Sequence, residues 1–444
     1  MPSRIYNNAH VHKVYSKLFL NLPFWIGAGL AALVAVTYAK LFAFSEEWAL
    51  AHATDNLIFI TAPLAIVGSF LLGHFFSKEA LGSGIPQIIA AVEVSDEDHP
   101  LLKKLLSFKM LIIKILGSCL CVFGGGSTGR EGPTLQVSAA LFYQLSRLWP
   151  KSFPKPQQNL MILAGGAGGL AAAFNTPLGG VVFAIEELSK THINLVRTSI
   201  FQAVIIAGII SQMLLGNYLY LGHPELNLSA HWIFLQTLFI AGVVGIIGAF
   251  FAECLYRIGR FRKTKSFQTQ LTMTILCGAA FSAVIWLCGP TTIGGGKTFM
   301  SDILSNPNLG NGSFLIPASR VFGNFFTYIG GVIGGVFAPA LASGAAIAQY
   351  MTIQFGFAAP RIMILVGMVA FLTGVTRSPF TSFVLVLEMS DSHEIILYLM
   401  LSSFVASLVS RAVNTKSFYE QAAHDIIEGA DLKKIKESKF RSWL

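Results

Sequence analysis

Charge is what this sequence has least of. Asp, Glu, Lys and Arg make up 12% of its 444 residues, against about 25% in soluble domains. With 54% hydrophobic residues and a mean hydropathy of +0.64, a water-soluble fold is excluded and a polytopic membrane protein is implied. Acids are scarcer than bases, 22 against 31, for a formal charge of +9. The basic residues gather at segment ends, as the positive-inside bias requires, so no nucleic-acid partner is expected. Cysteine is sparse. Cys119, Cys121, Cys254, Cys277 and Cys288 lie in or beside apolar segments, and Cys119-Leu120-Cys121 is too tight for an ordinary disulfide and has no metal-ligand company. They read as small buried hydrophobes. The ten histidines lack HExxH or paired-ligand spacing; His10 and His12 read as solvated, and no metal or cofactor is expected. A cleavable signal peptide is lacking, because the first 17 residues are polar and the apolar run behind them is too long for an h-region. A P-loop is lacking too. Gly294-Gly295-Gly296-Lys297-Thr298 has Thr291 where the motif's first glycine belongs, and an apolar span precedes it. A nucleotide-driven pump or kinase is thereby excluded, and nothing marks an enzyme.

What is present is a train of apolar segments: 18–44, 57–76, 105–123, 160–174, 198–221, 232–252, 271–288, 314–350, 361–374, 379–389 and 395–409. Many are shorter than the ~20 residues a straight span needs. Tilted and broken helices are expected, as in transporters with discontinuous helices. Residues 93–104 read as a charged loop and the stretch after 252 as a basic loop, while 289–312 is polar and Gly-rich. Residues 1–17, with Arg4, Lys13 and Lys17, read as cytoplasmic. So do the stretch holding Arg257, Arg260, Arg262, Lys263 and Lys265, and a tail holding Lys433, Lys434, Lys436, Lys439 and Arg441. Residues 222–231 carry no base but histidine and read as extracytoplasmic.

The most unusual stretch is Gly124-Gly125-Gly126-Ser127-Thr128-Gly129-Arg130-Glu131-Gly132-Pro133. Glycine bares the backbone N–H groups and proline suits the first turn of a helix. The stretch therefore predicts a helix N-terminus with a carboxylate at its positive end. At membrane depth such backbone is tolerated only where it lines a cavity or is buried in protein.

An internal repeat runs through the chain. Asn175-Thr176-Pro177, followed by Ile185-Glu186, matches Arg377-Ser378-Pro379, followed by Leu387-Glu388. Gly129-Arg130-Glu131-Gly132-Pro133 matches Gly335-Val336-Phe337-Ala338-Pro339, and Gly82-Ser83-Gly84 matches Gly294-Gly295-Gly296. The three matches fall in order at nearly one offset. With both termini inside and the central linker outside, each half crosses an odd number of times, so the halves are inverted. The expected organisation is a first membrane repeat at 18–221, the linker at 222–231, a second repeat at 232–412 and a tail at 413–444. Five helices are expected to start at Pro86, Pro133, Pro177, Pro339 and Pro379. N-termini that converge at the interface of inverted halves would bind an anion without a full buried cation.

Gly82-Ser83-Gly84-Ile85-Pro86, 129–133 and 335–339 resemble the three signature motifs of the CLC family of chloride channels and chloride/proton antiporters, in the family's order and across essentially the whole chain. The resemblance implies an all-α fold of two inverted repeats of tilted, partly broken helices. It implies exchange of chloride for protons across a prokaryotic plasma membrane by a homodimer in the lipid bilayer, with a passive chloride channel or a fluoride/proton exchanger as alternatives. It implies that Ser83, Tyr419 and the backbone N–H groups of Val336 and Phe337 bind a central chloride. The N–H groups around Arg130 and Gly132 would bind an outer one. Glu131 would be the external gate. Glu187, second of the Glu186-Glu187 pair, matches the internal proton-transfer acid that the family's channels generally lack. Read without the resemblance, Ser83 is a helix cap, Tyr419 an interfacial tyrosine and Glu186-Glu187 a helix-end pair. Gln87 and Ile89 stand where relatives often place acids, which leaves Lys114 without an evident partner. The 25 residues after Tyr419 are too few for paired regulatory domains, so nucleotide regulation through such domains is not expected.

Overall fold

The computed structural model describes residues 3–53, 57–94, 99–189, 198–216, 219–228 and 232–441, with side chains from 19 to 430 within those limits. The side chains of 1–17, the end of the 222–231 linker and the tail bases from Lys433 to Arg441 lie outside the described residues.

Eighteen α-helices are described. The first half holds α1 (Ser3–Ala51), α2 (Ile58–Phe76), α3 (Ile85–Glu93), α4 (Pro100–Leu105), α5 (Phe108–Phe123), α6 (Glu131–Leu148), α7 (Gln158–Phe174), α8 (Pro177–Phe183) and α9 (Thr198–Leu215). The second holds α10 (Ile233–Lys263), α11 (Phe267–Cys288), α12 (Lys297–Ser305), α13 (Leu315–Ile329), α14 (Phe337–Phe355), α15 (Pro360–Thr376), α16 (Pro379–Ser390), α17 (Ile396–Val413) and α18 (Phe418–Arg441). Six helices are long and apolar enough to cross a membrane, and α7, α15 and α16 are apolar but shorter. The long ones carry lipid-facing apolar side chains such as Leu64, Ile209 and Leu276, while α7 and α15 are buried all round. A helix apolar on every side belongs inside the protein, and its small residues let backbones meet. At Gly165 a Cβ would lie 2.7 Å from the Ala139 Cα, so α7 rests directly on the α6 backbone.

Two expected loops and the polar, Gly-rich stretch prove partly helical. Residues 93–104 contain α4, whose first turn begins at Pro100 and is capped by the His99 side chain. Residues 289–312 contain α12. The basic stretch after 252 continues α10 to Lys263, because the long stems of Arg257, Arg260 and Arg262 tolerate helix and need no turn. Polar composition predicts exposure, not loop, and it misled at 93–104 and after 252. α6 and α14 also start at Glu131 and Phe337, two residues ahead of the expected Pro133 and Pro339.

The repeat is visible in backbone detail. α7 and α15 both end on a non-glycine residue in the left-handed conformation, Asn175 at φ 59° and Arg377 at φ 60°. Each is followed by a residue and a proline that open α8 and α16. Glu186, just past α8, accepts from the Phe380 and Thr381 N–H groups at 3.1 and 2.6 Å, at the start of α16. Glu388, in α16, accepts from the Leu178 and Gly179 N–H groups at 3.2 and 2.9 Å, at the start of α8. Each half thus caps the other's helix with the carboxylate that the sequence repeat pairs, a favourable placement at a positive helix end.

Candidate functional site

The three glycine-rich motifs meet as bare backbone. Gly82 N–H donates to Val332 O at 2.9 Å and Gly334 N–H to Gly82 O at 3.2 Å, so the first motif is tied to the third. Gly129 and Gly335 exchange both backbone bonds at 2.9 Å, so the second is tied to the third as well. These are the isolated β-bridges of the described residues, and they fix three helix starts around one point. Only glycine permits the crossing. A Cβ on Gly132 would lie 2.5 Å from Ser83 Oγ and 2.7 Å from Ser83 O, and one on Gly84, at φ 107°, would lie 2.6 Å from Gly132 O.

The helix starts are α3 after Gly84, α6 at Glu131 and α14 at Phe337. Their first backbone N–H groups have no partner within their own helix. Pro133 and Pro339 sit at the third residue of α6 and α14, where a missing N–H costs nothing. Ser83 and Tyr419 are buried at 1% and 0% exposure; their hydroxyls face each other, and neither makes a hydrogen bond of full geometry among the described residues. Two buried, unsatisfied hydroxyls beside free helix N–H groups form a polar, uncharged pocket that an anion can fill. Tyr419 lies within electrostatic reach of Tyr328, Glu187 and Glu131, so one small region collects both acids. Val336 and Phe337 are buried at the start of α14, with the Phe337 ring packed on Phe174 and Phe183 at 5.6 and 6.5 Å between centroids.

Glu131 is 2% exposed. Its side chain folds back over Gly129, where a Cβ would collide with Oε2 and would also touch Pro339 and Ala338 of α14. The carboxylate faces its own N–H and that of Ala338. It therefore occupies the positive ends of two helices at once, one from each half, which is where a free anion would sit. On its other side a cavity of about 300 Å³ is lined by Lys40, Glu46, Arg130, Glu131 and Lys297. Arg130 Nη2 also reaches Ala173 O at 3.5 Å. Glu187, 1% exposed on a π-helical turn at Ala184–Leu188, accepts a hydrogen bond from Ser378 Oγ just before α16.

Among the described residues Lys114 has no carboxylate partner, and it does not need one. Its Nζ donates to Ala80 O at 2.9 Å and Gly82 O at 2.7 Å, bracing the turn that carries Ser83. Gln87 replaces an acid by hydrogen bonding alone. Its Oε1 accepts from Gly84 N–H at 3.0 Å and its Nε2 donates to Leu81 O at 2.8 Å. Composition could not reveal these carbonyl partners. Sequence reading also missed Glu46, whose Oε1 accepts from Gly295 N–H at 3.0 Å. Glu46 sits at the far end of a spanning helix, and an intramembrane acid is itself a functional signal. Tyr328, whose hydroxyl abuts Gly82, had no motif to mark it.

Helix starts converging on buried hydroxyls, with a carboxylate lodged among them, define a membrane protein whose polar backbone pocket suits small anions. The family model for voltage-gated chloride channels matches residues 64–411. The chain belongs to that family, the CLC proteins. It is 30% identical over 424 residues to a Klebsiella pneumoniae protein described as the H(+)/Cl(-) exchange transporter ClcA, covering 88% of this chain and 85% of the relative. A ClcA of Vibrio cholerae is 29% identical over 445 residues, covering 94% and 91%. The fold matches a slow cyanobacterial Cl−/H+ antiporter with a TM-score of 0.78 at 23% identity, over 92% of this chain and 98% of that one. It also matches a CLC-type fluoride/proton antiporter with a TM-score of 0.76 at 20% identity, over 91% and 97%.

Proposed function

We propose that this chain is a secondary transporter that exchanges chloride for protons. The observation that carries the reading is the Glu131 carboxylate, lodged over Gly129 at the starts of α6 and α14. Ionised, it fills an anion position. Protonated, it loses its attraction to the helix ends and yields that position to chloride. One group then answers to both ions. Ser83, Tyr419 and the first N–H groups of α14, at Val336 and Phe337, hold the central chloride; those around Arg130 and Gly132 hold the outer one. Glu187 passes protons toward Glu131 from the opposite side, and its place near Tyr419 supports that route. The termini and the basic end of α10 face the cytoplasm, and the working unit is a homodimer with a pathway in each subunit.

The test is purified protein in liposomes carrying a chloride gradient. Protons should move uphill as chloride runs down, and Glu131→Ala should pass chloride without protons. Chloride movement with no proton movement in the wild type would make the chain a channel. A wild type that moves fluoride and not chloride would make it a fluoride exchanger. Uphill proton movement in Glu131→Ala would remove Glu131 from the role of gate.

A further inference from the structure

A second cavity ends at Ser83, away from the Glu131 mouth, and its volume is about 670 Å³. That lies within the range of small-molecule pockets, ~300–1,000 Å³, and is far larger than a chloride requires. Its basic lining comes from three separate segments: Lys78 after α2, Lys104 on α4, and Arg260, Arg262 and Lys263 at the end of α10. Two acids face it, and both have other partners. Asp425 takes the Tyr256 hydroxyl at 3.3 Å and lies 3.9 Å from Arg260, while Glu79 accepts from Ser77 Oγ at 3.3 Å. Among the described residues the four cations other than Arg260 are not ion-paired to a carboxylate.

Arg262 is the least expected of the four. It is 7% exposed, and its Nε has no hydrogen-bond partner. Its guanidinium lies over the Phe70 ring at 4.4 Å, and Nη2 donates to Thr274 Oγ1 at 2.8 Å. A buried guanidinium with no counter-ion is costly, and the cost is removed when an anion arrives. Three lysine point charges around one planar guanidinium suit a multiply charged tetrahedral oxyanion, which accepts from several donors at once. The cavity also presents Leu81, Leu255, Ile329 and Phe418, apolar surface that an ester chain on the oxyanion can cover.

We propose that the Ser83 cavity is a binding site for a phosphate-class oxyanion, held by Arg262, Lys78, Lys104 and Lys263. An occupant there lies across the way to Ser83, so it competes with chloride and slows transport. The oxyanion is free phosphate or the headgroup of an anionic lipid.

The test is equilibrium binding of labelled inorganic phosphate to the purified full-length protein in neutral detergent at fixed ionic strength. Saturable binding is expected, weakened about tenfold in Arg262→Gln and in Lys104→Gln, the scale of one charge-assisted hydrogen bond. Arg262→Lys should retain most of it. Lys104 is exposed, so Lys104→Gln decides the matter even if Arg262→Gln fails to fold. Displacement of the label by phosphatidic acid in neutral-lipid nanodiscs would name the headgroup as the occupant; failure to displace it would name free phosphate. Absence of saturable binding at millimolar phosphate, or binding unchanged in Lys104→Gln, overturns the proposal. Binding is read without transport, so it can fail while chloride/proton exchange stands.

Discussion

Replacing Glu131 by alanine should tighten chloride binding, by an amount that follows from the geometry. In the wild type a chloride entering this position must displace a carboxylate held by two helix starts. Each helix end contributes about 0.3–1 kcal/mol to an anion at its N-terminus, up to ~2 in partly buried geometry. Charge-assisted hydrogen bonds are worth about 1.5–3 kcal/mol. The carboxylate faces its own N–H and that of Ala338, with Oε2 making no hydrogen bond among the described residues, so the helix ends supply most of the hold, and chloride recovers only part of it once it replaces the side chain. A net competition of about 2 kcal/mol corresponds to roughly thirtyfold in affinity, at ~1.36 kcal/mol per tenfold. Isothermal titration of chloride into purified wild type and Glu131→Ala should show that difference at neutral pH. Acid should narrow the gap. Protonation removes the charge that competes with chloride, so wild-type affinity rises as pH falls, while Glu131→Ala responds far less. Equal affinities at neutral pH, or a gap that widens in acid, would refute the competition.

Four further outcomes follow from the same contacts. Glu187→Gln should stop proton movement while chloride movement continues, read as the ratio of chloride to proton flux in liposomes; an unchanged ratio would mean that protons enter elsewhere. Gly132→Ala places a methyl carbon 2.5 Å from Ser83 Oγ and 2.7 Å from Ser83 O. It should cost about 1–3 kcal/mol of overpacking and weaken chloride binding, checked by titration and thermal melting. Lys114→Met leaves Ala80 O without its buried donor at 2.9 Å, so a loss of about 1–3 kcal/mol should lower the melting temperature even though no ion pair is broken. Glu186→Gln and Glu388→Gln each remove a charge from a helix N-terminus, and each should cost about 1 kcal/mol. Because the two caps are related by the repeat, thermal melting should show similar losses for both; a loss in one alone would argue against reciprocal capping.

Where the apolar segments are long or proline-started, linear reading located them well. The starts at Pro86, Pro177 and Pro379 and the αL residues Asn175 and Arg377 all sit where the repeat puts them. Where segments are polar, it failed. α4 and the end of α10 lie where polar composition predicts loop, because exposure and helix are compatible for Lys, Arg and Glu. Pairing acids with bases by composition left Lys114 without a partner, since its partners are backbone carbonyls that every residue carries.

By itself the sequence determined that this is a membrane protein of two related halves, that bare backbone interrupts its spans, and that one half places a glutamate where the other has Phe337. Those properties reside in composition, periodicity and spacing. Only the tertiary structure decided what the interruptions do. It laid Gly129 against Gly335 and Gly132 against Ser83, so helix starts far apart in sequence share one pocket. It folded Glu131 over Gly129 to reach Ala338, and it left Arg262 buried at the Ser83 cavity. A helix end's partial charge becomes useful only when its neighbours in space are known, and those neighbours come from the other half of the chain.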